Sequence, residues 1–429
     1  MRLPGRLAAA IAVLEDVERR HRPVAEALKA WGLDHRFAGS GDRAAIGNLV
    51  YDALRQRLSH AYAMGADTPR ALVLAVAVRD WGETPATLDA LFATDPHAPQ
   101  PLTADETVRL TAAEPLAGAP DHVRADLPDW AAPSLARSLG AGWVDEGRAL
   151  AGRPPLDLRV NTLKSDRARA LKALARTGAV ATALSPAGLR LAAGNRDSRT
   201  PNIQADEAYL KGWVEVQDEG SQIVALLAGA QPGEQVLDLC AGAGGKTLAM
   251  AAAMRNGGQI FAHDSDRHRL APIYDRLKRA GVRNVQVRPP GEGALADLAG
   301  RMDRVVIDAP CTGAGTWRRR PDAKWKLTPE QLAQRAAEQA AILAEGARYV
   351  KPGGTLAYIT CSLFDAENGE QAARFRASQP GFVPVEPELA ALVPGAAERV
   401  RMGPEGSVLL TPLRTNTDGF FLALFRRIA

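Results

Sequence analysis

The first part of the chain repeats apolar residues with the period of an α-helix. Between positions 6 and about 113, residues such as Leu7, Ile11 and Leu14 recur every three or four positions, which places them on one face of a helix. Ser40 is a candidate cap for the amphipathic run 42–57, because its hydroxyl can accept a backbone hydrogen bond. The pattern predicts an all-α N-terminal domain.

A mixed pattern comes next. Four prolines between positions 115 and 133, with Gly118 among them, indicate a linker or a change of domain. A strand-like alternation then runs from Leu156 to Val160, and a helical pattern begins at Ser165 and ends near Gly178. With further strand-like runs at 180–184, 188–191 and 214–217, the segment is predicted to be a small α+β module.

From about position 231, strand-like and helical runs alternate. The runs that predict strands are 235–239, 259–263, 284–288, 303–307 and 355–360. This alternation is typical of a parallel, doubly wound sheet, and such sheets bind ligands beyond the carboxyl ends of their strands. Because Asp238, Asp264, Asp308 and Cys361 stand at those ends, we expect one rim of the sheet to carry them.

The composition is that of a soluble protein with several domains. The chain has 429 residues, more than one hydrophobic core usually supports, and its 46% hydrophobic and 24% charged residues exclude bulk disorder. The net charge of +4 is only a mild indication of an anionic partner. Three cysteines, no signal-peptide pattern and no apolar run near the ~18 residues of a membrane span predict a cytoplasmic protein without a membrane role.

A run of small residues follows the first of the parallel strands. Positions 238–247 read Asp-Leu-Cys-Ala-Gly-Ala-Gly-Gly-Lys-Thr and precede a helix, so the backbone can approach a ligand closely at the helix N-terminus. A phosphate loop, G-x-x-x-x-G-K-[ST], would share the end of this run but needs glycine where Cys240 stands. A tight turn without a ligand is the other alternative. The candidate cofactor contacts are Asp238, Cys240, Ala241, Gly242, Ala243, Gly244, Gly245 and Lys246.

A carboxylate at the end of the second strand points to a nucleoside cofactor. Asp264 is placed to hold the two ribose hydroxyls of an adenosine. Asp266, two residues later, is predicted to cap the next helix instead. The alternative for Asp264 is a solvated loop acid.

Two thiols end neighbouring strands. Cys311 follows Asp308 by three positions, and Cys361 follows the fifth strand. Such cysteines can be core residues or a metal pair, but the chain offers no further His or Cys in a zinc pattern, and a disulfide is unusual in the cytoplasm.

The chemistry of cytosine gives such a pair a use. A thiolate that adds to carbon 6 of the base makes carbon 5 nucleophilic. Helix N-termini and Lys246 can lower the pKa of this thiol, and Asp308 can hydrogen-bond the exocyclic amine or ring nitrogen of the base. The product leaves only after a second group has removed the carbon 5 proton, a role for Cys311 or a water.

Four motifs together resemble those of the Sun/Fmu (RsmB-like) family of bacterial RNA cytosine-5 methyltransferases, at positions 238–247, 308–311, 360–362 and 418–421. The resemblance implies a class I, Rossmann-like methyltransferase domain with S-adenosylmethionine as methyl donor. It also implies that Cys361 is the nucleophile and that Cys311 assists release. We predict Cys361, Cys311, Asp308 and Lys246 as the catalytic set, and no metal. Asp264, Gly291 and Asp308 complete the predicted cofactor contacts.

The sequence departs from that family at two places. The glycine-rich loop has Gly242 and Ala243 where the family commonly has Ala-Pro, which keeps a small-residue turn with less rigidity. After the third strand, positions 288–292 offer Gly291 and Glu292 where the family usually offers an aspartate to the adenine.

The resemblance extends to the rest of the chain. Positions 158–162 and 212–218 are similar to the family's RNA-binding module and its junction with the catalytic domain, and positions 42–55 are similar to its NusB-like helical domain. The predicted domains are therefore a NusB-like RNA-binding domain at 1–125, a linker with the small α+β RNA-binding module at 126–215, and a methyltransferase domain at 216–429.

RNA is the predicted partner. A basic loop follows Cys311, with Trp317 and Trp325 interleaved; cations hold phosphates and aromatic rings stack unpaired bases. The alternative is a solvated charged loop whose tryptophans pack inward. Arg159 and Asn161, at the predicted strand 156–160, are candidate RNA contacts by the family resemblance alone. The predicted RNA contacts are Arg159, Asn161, Arg318, Arg319, Arg320 and Lys324.

The target base has to be unpaired or flipped out of its helix, because a thiol and a sulfonium approach it from opposite faces. The helical N-terminal domain favours ribosomal RNA as the substrate, and we expect a monomer. Two other functions compete: a phosphate-loop nucleotide hydrolase, and an RNA-binding ribosome-assembly factor that keeps the fold without turnover.

Overall fold

The computed structural model describes residues 1–396 and 398–428 and divides into two compact units. The helical unit consists of residues 1–153 with the segments 193–200 and 317–326, and the sheet unit contains the rest of the described chain. These borders do not coincide with the predicted limits at 125/126 and 215/216. Within the described ranges, no helix has the length and apolar character needed to cross a membrane.

The helical unit is all-α, as its apolar period predicts. The unit buries Leu7, Leu49 and Leu72 in one core. Ser40 begins its helix instead of capping it, because the Asp42 carboxylate accepts the Gly39 N–H at the cap position. The α-helices are Leu3–Arg20, Val24–Asp34, Ser40–Arg55, Arg57–Met64, Pro69–Ala75, Pro85–Thr94, Ala104–Leu110, Asp121–Arg124, Ala132–Leu139, Trp143–Leu150 and Pro321–Lys326, with a π-helical turn at Val76–Asp80.

The proline-rich stretch 115–133, which was predicted to be a linker or a change of domain, is structured. It contains the helix Asp121–Arg124 and the start of Ala132–Leu139. Several of its apolar side chains, such as Val123 and Leu127, are buried. Proline is accommodated because it occupies the first turn of Ala132–Leu139, where its missing N–H has no helical partner to lose.

The first part of the sheet unit is the predicted α+β module. Its four strands are β1 (Leu156–Val160), β2 (Val180–Ala181), β3 (Gly188–Leu191) and β4 (Val214–Val216), in the order β2-β3-β1-β4. All pairs are antiparallel. The helix Arg167–Ala173 starts at the cap Asp166, whose carboxylate accepts the Arg169 N–H. The β2 strand is shorter than the predicted run 180–184.

A nine-stranded sheet forms the second part of this unit. Its strands are β5 (Gln235–Asp238), β6 (Gln259–His263), β7 (Val285–Arg288), β8 (Met302–Asp308), β9 (Val350–Thr360), β10 (Phe382–Val385), β11 (Arg401–Met402), β12 (Val408–Leu410) and β13 (Phe420–Arg427). The order is β11-β12-β13-β9-β8-β5-β6-β7, and β10 pairs with β13. The five predicted strands β5 to β9 are parallel, whereas β10 to β13 join antiparallel and were not predicted.

Helices connect most of the parallel strands. Between β7 and β8 only a 3₁₀ turn, Ala296–Leu298, is present, so the predicted alternation fails at this connection. Because β5, β6, β8 and β9 run in the same direction, their carboxyl ends meet at one rim. The α-helices of the sheet unit are Arg167–Ala173, Glu207–Leu210, Glu219–Leu227, Gly245–Ala253, Arg267–Leu270, Ile273–Ala280, Pro329–Ala347, Gly369–Ser378, Leu389–Leu392 and Pro412–Thr415.

Candidate functional site

The glycine-rich loop turns sharply from β5 into the helix Gly245–Ala253. Gly244 caps this helix with a φ of 85°, and a Cβ there would lie 2.6 Å from Cγ1 of Ile273. The position therefore requires glycine for both its backbone angle and its packing. The Ala241 N–H donates to the His263 carbonyl at 2.8 Å, which ties the loop to the end of β6.

Asp264 supports this loop from the end of β6. Its buried carboxylate accepts the Gly242 N–H at 2.9 Å through Oδ2 and the Asp266 N–H at 2.9 Å through Oδ1. Because each carboxylate oxygen has two lone pairs, acceptor capacity remains for two ribose hydroxyls. Asp266 caps the next helix, as predicted, and accepts the N–H groups of His268 and Arg269.

Asp238 is a fully buried carboxyl at the end of β5. Its Oδ2 accepts the Thr247 hydroxyl at 2.6 Å, and its Oδ1 has no hydrogen-bond partner among the described residues. Burial raises the pKa of Asp238 to about 7, against the Thr247 hydrogen bond, which lowers it. An unpartnered polar atom in a rim cavity indicates that a ligand group completes the site.

This carboxyl makes stability depend on pH. Since the native pKa of Asp238 lies above its ordinary value of 3.8, the folded protein binds more protons than the unfolded chain between those pH values. Its contribution therefore lowers the free energy of unfolding as pH rises through this window, by up to about 1.4 kcal/mol per pH unit. We expect the Tm of Asp238→Asn minus the Tm of wild type to be larger at pH 8 than at pH 5. Equal differences at both pH values would contradict this assignment.

A cavity of about 300 Å³ opens beside the glycine-rich loop. Its charged lining consists of Asp218, Asp238, Asp308, Lys246 and Arg276. Three carboxyl groups and two cations suit a ligand that carries a carboxylate, an ammonium and a sulfonium, as S-adenosylmethionine does. Among the described residues, the chain thus offers a donor and acceptor set that fits this cofactor.

The ion pair of Lys246 and Asp308 lies in this lining. Lys246 Nζ is 2.6 Å from Asp308 Oδ2 and 3.4 Å from the Ser221 hydroxyl, and it lies 5.1 Å from the centroid of the Phe420 ring. Lys246 is buried, whereas the Asp308 side chain is 34% exposed. The hydrogen bonds of Lys246 go to Asp308 and Ser221, and its effect on the pKa of a thiol stays a prediction.

The two rim thiols are adjacent. Cys311 follows β8, Cys361 follows β9, and their Sγ atoms are 3.3 Å apart. Hydrogen bonding to Cys361 and then burial raise the pKa of Cys311 well above its ordinary value. Burial likewise raises the pKa of Cys240, the third cysteine, which lines the cofactor cavity.

The C-terminal motif 418–421 packs beneath the cysteine loops. The Gly315 N–H donates to the Cys361 carbonyl at 2.9 Å, and the Gly419 N–H donates to the Gly315 carbonyl at 2.8 Å. A Cβ on Gly315 would lie 2.2 Å from the Gly419 carbonyl oxygen, so only glycine permits this approach. The motif thus has a structural reason to accompany the cysteines.

Four of the predicted RNA contacts are corrected by burial. Arg159 donates to Gln217 Oε1 at 2.6 Å, and Asn161 donates to the Gly212 and Ala280 carbonyls. In the helical unit, Arg318 and Lys324 are only 3% and 2% exposed, and Trp317 is 1% exposed. Side chains buried in this way support the fold and offer no group to a phosphate.

Three other predicted site residues, Arg319, Arg320 and Gly291, lie wholly or partly at the surface. Arg320 is exposed and Arg319 partly so. Gly291 lies in an exposed loop after β7, and no described atom comes within 4 Å of a Cβ built on it. Arg276 was not predicted as a site residue, although its guanidinium donates to the Ala243 carbonyl at 2.7 Å and lines the cavity. No motif marks this helix position.

Comparisons with known proteins find methyltransferase families and a methyltransferase structure. A family model described as 16S rRNA methyltransferase RsmB/F matches residues 225–426, and a model of the ferredoxin-like domain of RsmF/B-like methyltransferases matches residues 127–196. A methyltransferase homologue protein from Pyrococcus horikoshii superposes with a TM-score of 0.59 at 26% identity, over 72% of this chain and 97% of that chain.

Two bacterial relatives are similar over most of the chain. The probable ribosomal RNA small subunit methyltransferase B of Synechocystis sp. is 33% identical over 309 residues, which cover 70% of this chain and 67% of the relative. The ribosomal RNA small subunit methyltransferase B of Sodalis glossinidius is 39% identical over 277 residues, 63% of this chain and 59% of the relative. The matched region thus spans about three fifths to two thirds of these relatives.

Proposed function

Because this chain belongs to the RsmB/F family of ribosomal RNA methyltransferases, we propose that it methylates carbon 5 of a cytosine in small-subunit ribosomal RNA. Family membership confirms the resemblance to the Sun/Fmu group, and S-adenosylmethionine is the methyl donor that goes with it. The observation that carries the proposal is the 3.3 Å separation of the Cys311 and Cys361 sulfur atoms at the rim beside the cofactor cavity.

In the proposed reaction, Cys361 supplies the electron pair. Its thiolate bonds to carbon 6 of the cytosine, and carbon 5 gains the electron density needed to accept a methyl group. The cofactor, when bound, supplies that methyl group as an electrophile on sulfur. Loss of the carbon 5 proton to Cys311 or a water then restores the ring as the carbon–sulfur bond breaks.

Asp308 and Lys246 are proposed to hold the base. The partly exposed Asp308 carboxylate can accept hydrogen bonds from the exocyclic amine of cytosine, and the Lys246 ammonium 2.6 Å away orients this carboxylate. Asp264 is proposed to bind the ribose of the cofactor, with the backbone of the glycine-rich loop alongside.

Methyl transfer to isolated 16S rRNA tests the proposed function. The protein is incubated with cofactor labelled in its methyl group and 16S rRNA from a strain that lacks the modification, and bisulfite sequencing locates 5-methylcytosine. A labelled RNA with one protected cytosine is expected. RNA binding without label would favour a ribosome-assembly factor instead.

The helical unit is proposed to bind RNA as a NusB-like domain. Its basic segment 317–326 offers two kinds of cation, the exposed Arg320 and the buried Lys324. Lys324 Nζ donates to the Arg55 and Asp126 carbonyls at 2.8 and 2.7 Å. Only the first kind is free to reach a phosphate.

These two cations give a matched pair of variants. We expect Arg320→Ala to weaken RNA binding and to lower the slope of log affinity against log salt concentration by about one. Lys324→Met should instead lower the free energy of unfolding by about 2 kcal/mol or more, since two buried carbonyls lose their donor. Filter binding across a salt series and thermal unfolding separate the effects. An unchanged salt slope in Arg320→Ala would remove Arg320 from the interface.

A further inference from the structure

A buried carboxylate lies behind both cysteine loops. Glu367 is fully buried at the end of the 3₁₀ turn Asp365–Glu367. Its Oε1 accepts the Thr312 N–H at 2.8 Å, and its Oε2 accepts the Thr312 hydroxyl at 2.5 Å and the Ser362 hydroxyl. Since Thr312 follows Cys311 and Ser362 follows Cys361, one carboxylate binds the residue after each thiol.

Neighbouring amides extend this arrangement. Gln339 Nε2, from the helix Pro329–Ala347, donates to the Pro310 carbonyl at 2.9 Å and to Glu367 Oε1 at 3.0 Å. Asn368 accepts the Thr360 hydroxyl at 2.5 Å and donates to the Ser362 carbonyl at 2.9 Å. The residues before and after both thiols are therefore held by groups that lie outside the two strands.

We propose that Glu367 is a positioning residue that holds the Cys311 and Cys361 thiols at the separation that their reaction requires. The roles of the two thiols rest on the proposed function, whereas the geometric effect on their separation does not. Within the described ranges, no Lys, Arg or His forms an ion pair with Glu367, so hydrogen-bond donors alone stabilise its charge. A carboxylate only accepts, and hydrogen bonds to a charged group are the strong ones.

The charge of Glu367 also bears on the state of Cys311. After the hydrogen bond with Cys361 and burial, the nearby negative charge is a further cause that raises the pKa of Cys311. Removal of this charge should lower the pKa of Cys311. Glu367→Gln therefore changes both geometry and charge, whereas Thr312→Val removes one hydrogen bond and keeps the charge.

The first test measures the rate of disulfide formation between the two thiols in the absence of RNA, because this rate depends on their separation. Full-length wild type, Glu367→Gln, Thr312→Val and the control Glu370→Gln are treated with diamide, which takes up both thiol hydrogens as the S–S bond forms, and mass spectrometry locates the disulfide. Glu370 is a matched glutamate, half-exposed and paired with Arg374. We expect the Cys311–Cys361 disulfide to form about tenfold more slowly in Glu367→Gln, less so in Thr312→Val, and at the wild-type rate in the control.

The second test measures methyl transfer to 16S rRNA against pH. In Glu367→Gln, kcat should fall about 100-fold with KM little changed. The rise of activity with pH that deprotonation of Cys311 controls should move to lower pH. Thr312→Val should lower kcat without this movement. If Glu367→Gln shows no cooperative thermal transition and is therefore not folded, Thr312→Val alone tests whether this hydrogen-bond network sets the separation of the two thiols.

Wild-type disulfide rates in both folded variants would overturn the positioning role. If instead the disulfide rates change as expected but wild type transfers no methyl group to RNA, the positioning role stands and the proposed function fails.

Discussion

Replacement of Cys361 by alanine is expected to lower methyl transfer to 16S rRNA by about 10⁴-fold or more, because the proposed nucleophile that bonds to carbon 6 is lost. Cys311→Ala should retain addition and methylation but lose the group that assists release. A covalent protein–RNA species should therefore accumulate in Cys311→Ala and migrate slowly on a denaturing gel. The 3.3 Å between the two sulfur atoms makes both groups available to one base.

The third cysteine supplies the control for this experiment. Cys240 lines the cofactor cavity, and burial raises the pKa of its thiol. The covalent species should still form in the double variant Cys240→Ala/Cys311→Ala and disappear in Cys311→Ala/Cys361→Ala. A covalent species that persists without Cys361 and requires Cys311 would reverse the two roles.

The parallel part of the sheet could be predicted because most of its strands are apolar runs that alternate with helical runs. Strands buried on both faces need such runs, and their common direction places Asp308, Cys311 and Cys361 at one rim. The antiparallel strands β10 to β12 are short and lack this pattern. β13 was read as a motif at positions 418–421 and not as a strand.

The sequence pattern could not predict which charged side chains are buried. Arg318 and Lys324 belong to a basic run in the sequence, yet both side chains are buried in the helical unit, and Lys324 donates to carbonyls from distant parts of the chain. Glu367 is the converse case: nothing in the sequence singled it out, although its buried carboxylate accepts hydrogen bonds from Thr312 and Ser362. Long-range partners decide both cases.

The ion pair of Asp308 and Lys246 should carry the second large effect. Asp308→Asn keeps the shape of the side chain but removes its charge, so both the grip on the exocyclic amine and the pairing with Lys246 are weakened. We expect methyl transfer to fall by about 10² to 10⁴-fold, with thermal stability close to that of wild type because the Asp308 side chain is 34% exposed. Lys246→Met should lower transfer by a similar factor.

A double-mutant cycle separates a cooperating pair from two independent residues. If the 2.6 Å contact makes Asp308 and Lys246 act as one unit, the activity of the double variant should be little lower than that of the less active single variant. Glu338→Gln breaks a matched pair with Arg335 on the surface of the helix Pro329–Ala347 and should leave transfer within about twofold of wild type. Losses that multiply in the double variant would mean that Asp308 binds the base without help from Lys246. Transfer in Asp308→Asn within about threefold of wild type would exclude Asp308 from base recognition altogether.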